Sequence, residues 1–133
     1  MSVVKAKYRG STVYFHVLAE LVRAAQYRGV TTYQDIALIM GLPTTGNQMS
    51  QATGQILGEI AEDEVIAGRR MLSAVAVGVS GKPGLGFYSL ANQLGFIDTP
   101  DENLEFWAQE RDKVYDAWRR PLPKPGSKIG GNG

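Results

Sequence analysis

Between Thr45 and Glu64 the sequence sets two kinds of chemistry end to end. The first part carries side-chain amides and hydroxyls: Thr45, Asn47, Gln48, Ser50, Gln51 and Gln55. Asn and Gln match the donor–acceptor edge that adenine presents in a major groove, so this stretch reads as a polar, uncharged face for base edges. The second part carries Glu59, Glu62, Asp63 and Glu64. Carboxylates three and four apart share one side of a helix, where they can hold a hard cation or exchange protons. Their place in the C-terminal half of a helix opposes the helix dipole, and Arg69 and Arg70 follow closely as compensation. The cluster therefore reads as a solvated, salt-bridged face ahead of a metal or catalytic site.

Other chemistries find little support. The chain has no cysteine, which excludes disulfides, thiolate metal sites and cysteine nucleophiles. His16 is the only histidine, so no His-based metal spacing exists and Ser73 has no base partner in sequence. Gly84-Leu85-Gly86 lacks both the third glycine of a dinucleotide fingerprint and the Lys-Ser/Thr pair of a phosphate loop. The expectation is a protein that is not an enzyme and carries no cofactor.

Charge is distributed unevenly. From Gly29 to Gly68 there is no Lys or Arg. Lys5, Lys7 and Arg9 make the N-terminus basic, and Arg119, Arg120, Lys124 and Lys128 do the same at the C-terminus. The body between residues 10 and 118 holds seven cations against all thirteen acids. Affinity for nucleic acid comes mainly from cations on phosphates. The cations would be Lys82, Arg69, Arg70 and the basic ends.

The elements that must position these groups are legible from caps and periodicity. At 133 residues and 44% apolar content, one domain with a full core is expected. Residues 1–10 read as a basic arm or edge strand, 11–120 as the folded unit, and the Pro/Gly-rich 121–133 as a disordered basic tail. Ser11 or Thr12 caps a helix to about Tyr27, stopped by Gly29. Thr32 caps a short helix, YQDIALIM, ended by Gly41 and Pro43. Asn47 caps a longer helix to about Ala67, whose Gly54 and Gly58 suggest close approach of another element. Met71–Val77 reads as a buried strand, GVSGKPGLG as a loop or wing, and Phe87–Leu94 as a helix. Thr99-Pro100-Asp101-Glu102 is a helix start, opening a helix to Trp118 with Leu104, Trp107, Val114, Tyr115 and Trp118 as its apolar stripe. No signal-peptide run or membrane span is present, so a soluble, cytoplasmic protein is expected.

Helix, short helix, turn, longer helix, strand, Gly-rich loop and helix is the order of a winged helix-turn-helix, in which the second helix of the pair enters the major groove. The run VTTYQDIALIMGLP resembles the start of the DNA-binding domain of the alkylguanine-DNA alkyltransferases and alkyltransferase-like proteins. QATGQILGEI resembles their recognition helix, and GLGFYSLANQLG their Gly-x-Gly-Phe wing and following helix. The resemblance covers roughly residues 12–95. It puts Leu72, Ser73, Ala74 and Val75 where the family has its reactive Pro-Cys-His-Arg, and Gln51 at the arginine that holds a duplex open. Alkyl transfer needs a thiolate with a neighbouring base, so the resemblance implies the fold and DNA binding without the reaction.

The expected fold is mainly α with a small β-sheet, winged-helix-like, plus an extra C-terminal helix. The expected function is a non-enzymatic DNA-binding module using Tyr33, Thr45, Asn47, Gln48, Ser50, Gln51, Gln55, Arg69, Arg70 and Lys82. The alternative is a protein-interaction adaptor whose partner meets Trp107, Tyr115 and Trp118, since Trp is enriched at binding hot spots.

Overall fold

The computed structural model describes residues 2–120; Met1 and the expected tail 121–133 lie outside the described residues. Helix α1 (Thr12–Gln26) starts where the Ser11 hydroxyl accepts the Tyr14 N–H. Its Tyr14, Val17, Leu21, Ala24 and Ala25 recur at helical spacing and are buried. The helix ends through Arg28, which takes a positive φ of 56°, one residue before the expected Gly29.

Strand β1 (Thr31–Thr32) leads straight into α2 (Tyr33–Ile39), with Thr32 capping it by accepting the Asp35 N–H at 3.1 Å. Helix α3 (Asn47–Ile66) begins one residue earlier than the expected Asn47 cap implies, because Gly46 occupies the cap with φ of 98° and Asn47 is the first helical residue. Positive φ with an extended ψ of 174° at Gly46 is backbone that essentially only glycine adopts. Ile56, Leu57, Ile60 and Ala61 of α3 join the core contributed by α1.

Met71–Val77 is wholly buried, as expected, but only Ala76–Val77 is a strand. Leu72–Val75 forms a 3₁₀ turn packed among α1, α3 and α5 (Leu104–Trp118). A short apolar run without alternation does not distinguish a buried strand from a buried helical turn. Strand β2 (Ala76–Val77) pairs in parallel with β1, Thr31 opposite Ala76 and Thr32 opposite Val77. Residues 78–84 form a loop with no strands, closed by a Gly78 N–H to Lys82 carbonyl bond of 2.9 Å. The segment expected as a loop or wing is therefore a tight loop.

Helix α4 (Leu85–Gln93) starts two residues before expected. Helix α5 starts five residues after Thr99, because Asn103 supplies the cap by accepting the Phe106 N–H at 3.0 Å. Asn ranks above Thr at that position, and residues 98–101 form bends instead. The fold is mainly helical with one small two-stranded parallel sheet. Among the described residues no helix is long and apolar enough to cross a membrane.

Candidate nucleic-acid interface

The N-terminal half of α3 forms one wall of a cleft of about 480 Å³. Tyr33 and Ser73 line it from the core side, and Gly84, Phe87 and Gln93 line it from the loop and α4. No lining residue is charged. Tyr33 fixes the geometry, since its hydroxyl accepts the Gly84 N–H at 2.7 Å and its ring lies against Gly78. Burial raises the Tyr33 pKa against a smaller opposing effect of that bond, so the phenol stays neutral. Ser73, at the position where the resemblance expects a nucleophile, is a buried hydroxyl in this cleft.

Thr45, Asn47, Gln48, Ser50 and Gln51 are exposed on and ahead of the first turns of α3. Ser50 also lines the cleft, so the polar face and the cleft mouth are continuous. Gln55 departs from expectation. Its amide donates to the Lys5 carbonyl at 2.7 Å and to Glu59 at 2.8 Å, so it holds the N-terminal arm instead of facing a partner.

The carboxylate cluster is the main correction. Glu59, Glu62 and Glu64 are buried, with Glu59 at 0% and Glu62 at 1% exposure. They are not a solvated face. The main-chain N–H groups of Lys7, Tyr8 and Arg9 donate to Glu59, and those of Val3 and Val4 to Glu62. Arg9 ion-pairs with Glu62 at 2.7 Å and Asp63 at 3.0 Å, and Asp63 also accepts the Tyr14 hydroxyl. Burial pushes the Glu62 pKa up, but donors from Ser2, Val3, Arg9 and Val4 outweigh it and leave the pKa lowered. Burial, reinforced by Asp63, raises the Tyr14 pKa. The carboxylate oxygens are occupied by these donors, and among the described residues no acidic or histidine group is arranged to hold a metal ion. Residues 2–9 are consequently neither a free arm nor an edge strand: they are docked on α3.

The two arginines expected as phosphate clamps are ion-paired within the chain, Arg69 while exposed and Arg70 while half-buried. Arg69 pairs with Glu64 at 2.8 Å and lies 5.5 Å from the Trp118 ring. Arg70 pairs with the fully buried Glu110 at 2.6 Å, and Glu110 accepts the Met71 N–H at 2.9 Å. Glu110 is a structural residue that periodicity did not reveal, because a glutamate in a helix ordinarily faces water. Lys82 is only loosely tied, 4.0 Å from Glu102. The expected interface aromatics serve the fold: Trp107 donates its indole N–H to the Ala74 carbonyl at 2.9 Å, and Tyr115 its hydroxyl to the Gly29 carbonyl at 2.8 Å. Trp118 sits half-buried under Arg69.

The α3 glycines are placed differently from one another. A Cβ at Gly58 would lie 3.8 Å from Val4 of the docked arm, whereas a Cβ at Gly54 would meet nothing within 4 Å. Close packing within the chain therefore does not require Gly54. No protein family, curated protein or solved structure matches the chain.

Proposed function

We propose that this protein is a non-enzymatic DNA-binding module that applies the N-terminal half of α3 to DNA, with the adjoining cleft as a seat for an unstacked base. One observation carries the reading. Glu59 and Glu62 of α3, which would repel phosphate, are buried and bonded by the arm, while the arm leaves Lys5 and Lys7 exposed beside the same helix. The cations missing from α3 are thus supplied by a segment fifty residues away. A neutral reading helix flanked by lysines separates base contact from phosphate contact. The cleft falls within the roughly 300–1,000 Å³ of small-ligand sites, and its uncharged, partly aromatic lining suits a neutral planar ring.

The test is fluorescence anisotropy with a labelled mixed-sequence duplex and with the same duplex carrying one bulged base, across a salt series. The expected result is binding of both, tighter to the bulged duplex. Lys5→Ala and Lys7→Ala should each flatten the log–log salt slope by about 0.9, the value for one lost phosphate contact. No binding at low salt tighter than about 10⁻⁴ M, the weak end of non-specific association, would reject the reading. Equal affinity for the two duplexes would remove the cleft from it.

A further inference from the structure

Residues 2–9 form no helix or strand, yet their main chain is bonded almost as a strand's would be. The acceptors are side chains. Val3 and Val4 donate to Glu62 at 2.6 and 3.4 Å, and Lys7, Tyr8 and Arg9 donate to Glu59 at 3.1, 3.0 and 2.8 Å. The Arg9 guanidinium closes the segment on itself through the Val4 carbonyl at 2.9 Å while gripping Glu62 and Asp63. Val4 then lies against Gly58 and lines the cleft.

We propose that residues 2–9 are a releasable strap that closes one end of the cleft, latched by Glu59 and Glu62, so that cleft access follows the state of the latch. The attachment is polar. Val3, Lys5, Ala6 and Lys7 are exposed, and only Val4 and Tyr8 bring half-buried apolar surface. Segments with little apolar burial open at a lower free energy than the core they cover. Gly10, with φ of 81° and open space where a Cβ would sit, is the natural hinge. The charged and titratable groups facing the latch are Arg9 from the strap, Asp63 from α3 and Tyr14 from α1, with the Glu64–Arg69 pair beyond them. The inference does not depend on what the cleft holds and stands apart from the DNA reading.

Native-state hydrogen exchange on the full chain, in increasing urea, tests the release. The amides of Val3, Val4, Lys7, Tyr8 and Arg9 should be protected, and should exchange through an opening well short of global unfolding. Glu62→Gln sets an amide NH₂ against N–H donors. It should speed their exchange by about tenfold or more, as expected for losing one hydrogen bond to a charged group, with α1 and α3 core amides unchanged. Access is read separately. The chain has no cysteine, so Ser73→Cys gives a single thiol in the cleft, and its labelling rate should rise about tenfold when Glu62→Gln is added, in step with the exchange. Strap amides that are unprotected in the wild-type chain, or that exchange only with the core, would overturn the strap. Labelling that stays constant while the strap opens would overturn the gate. If Glu62→Gln does not fold, Ser73→Cys alone in sub-denaturing urea decides: labelling that rises with strap opening supports the proposal, and labelling that rises only with global unfolding overturns it.

Discussion

Replacing Gly54 by alanine should make the protein more stable and a poorer binder. Glycine inside a helix is disfavoured against alanine by about 0.8–1.0 kcal/mol, through backbone entropy in the unfolded chain. That difference is usually offset where a neighbour needs the missing Cβ, but at Gly54 a Cβ meets nothing within 4 Å. The full propensity gain should therefore appear, about 1 kcal/mol, which for a domain of this size raises Tm by roughly 3–5 °C. The added methyl would project into the cleft that Gly54 lines. A methyl group forced against an occupant costs about 1–3 kcal/mol by analogy with overpacked cores, so affinity for the bulged duplex should fall about tenfold. Calorimetry and anisotropy on the same preparations give both signs. Gly58→Ala is the internal control: its Cβ would make ordinary contact with Val4, so it should stabilise while tightening the docked arm. A lower Tm for Gly54→Ala would refute the argument, since the glycine would then serve the fold. A higher Tm with unchanged binding would show that nothing approaches α3 there.

The other expectations concern the buried charges and caps. Glu110→Gln should lower the unfolding free energy by about 3 kcal/mol, the low end for breaking a buried pair, because Arg70 loses its counter-charge and shares one remaining acceptor oxygen with the Met71 N–H; a change under about 1 kcal/mol, the scale of an exposed pair, would contradict it. Glu62 gives stability a pH dependence. Its folded pKa lies below the ordinary 4.5, so its contribution is complete above the unfolded value and is lost as pH falls through the folded one. Urea unfolding between about pH 6 and pH 3 should show a steeper loss for the wild-type chain than for Glu62→Gln, and parallel curves would deny that Glu62 is a linked group. Thr32→Ala removes the α2 cap and should cost about 1 kcal/mol, measurable as a shift of the urea midpoint. Gln51→Ala should reduce discrimination between duplex sequences and leave the salt slope unchanged, since Gln51 is exposed and carries no charge.

Much of the scaffold could be read along the chain because its causes are local. Ser11 and Thr32 cap the helices they precede, the spacing of Tyr14, Leu21 and Ala25 buries one face of α1, and Gly41 and Gly95 turn the chain with positive φ just after α2 and α4. The exposure of Asn47, Gln48, Ser50 and Gln51 was equally legible, because uncharged polar side chains have no reason to leave water without a partner. The partners themselves were not legible. Glu59 and Glu62 look like surface acids in any window of sequence, and they become buried acceptors only because an arm about fifty residues upstream brings its amides to them. Arg70 and Glu110 are forty residues apart, and neither reveals the other. Met71–Val77 showed its burial but not its shape, since being surrounded by α1, α3 and α5 permits a 3₁₀ turn as readily as a strand. Local free energies of capping and periodicity are written within a few residues, so the sequence by itself determined where the helices lie. The choice of which charge meets which donor depends on desolvation and contact across the whole fold, and only the tertiary structure decided it.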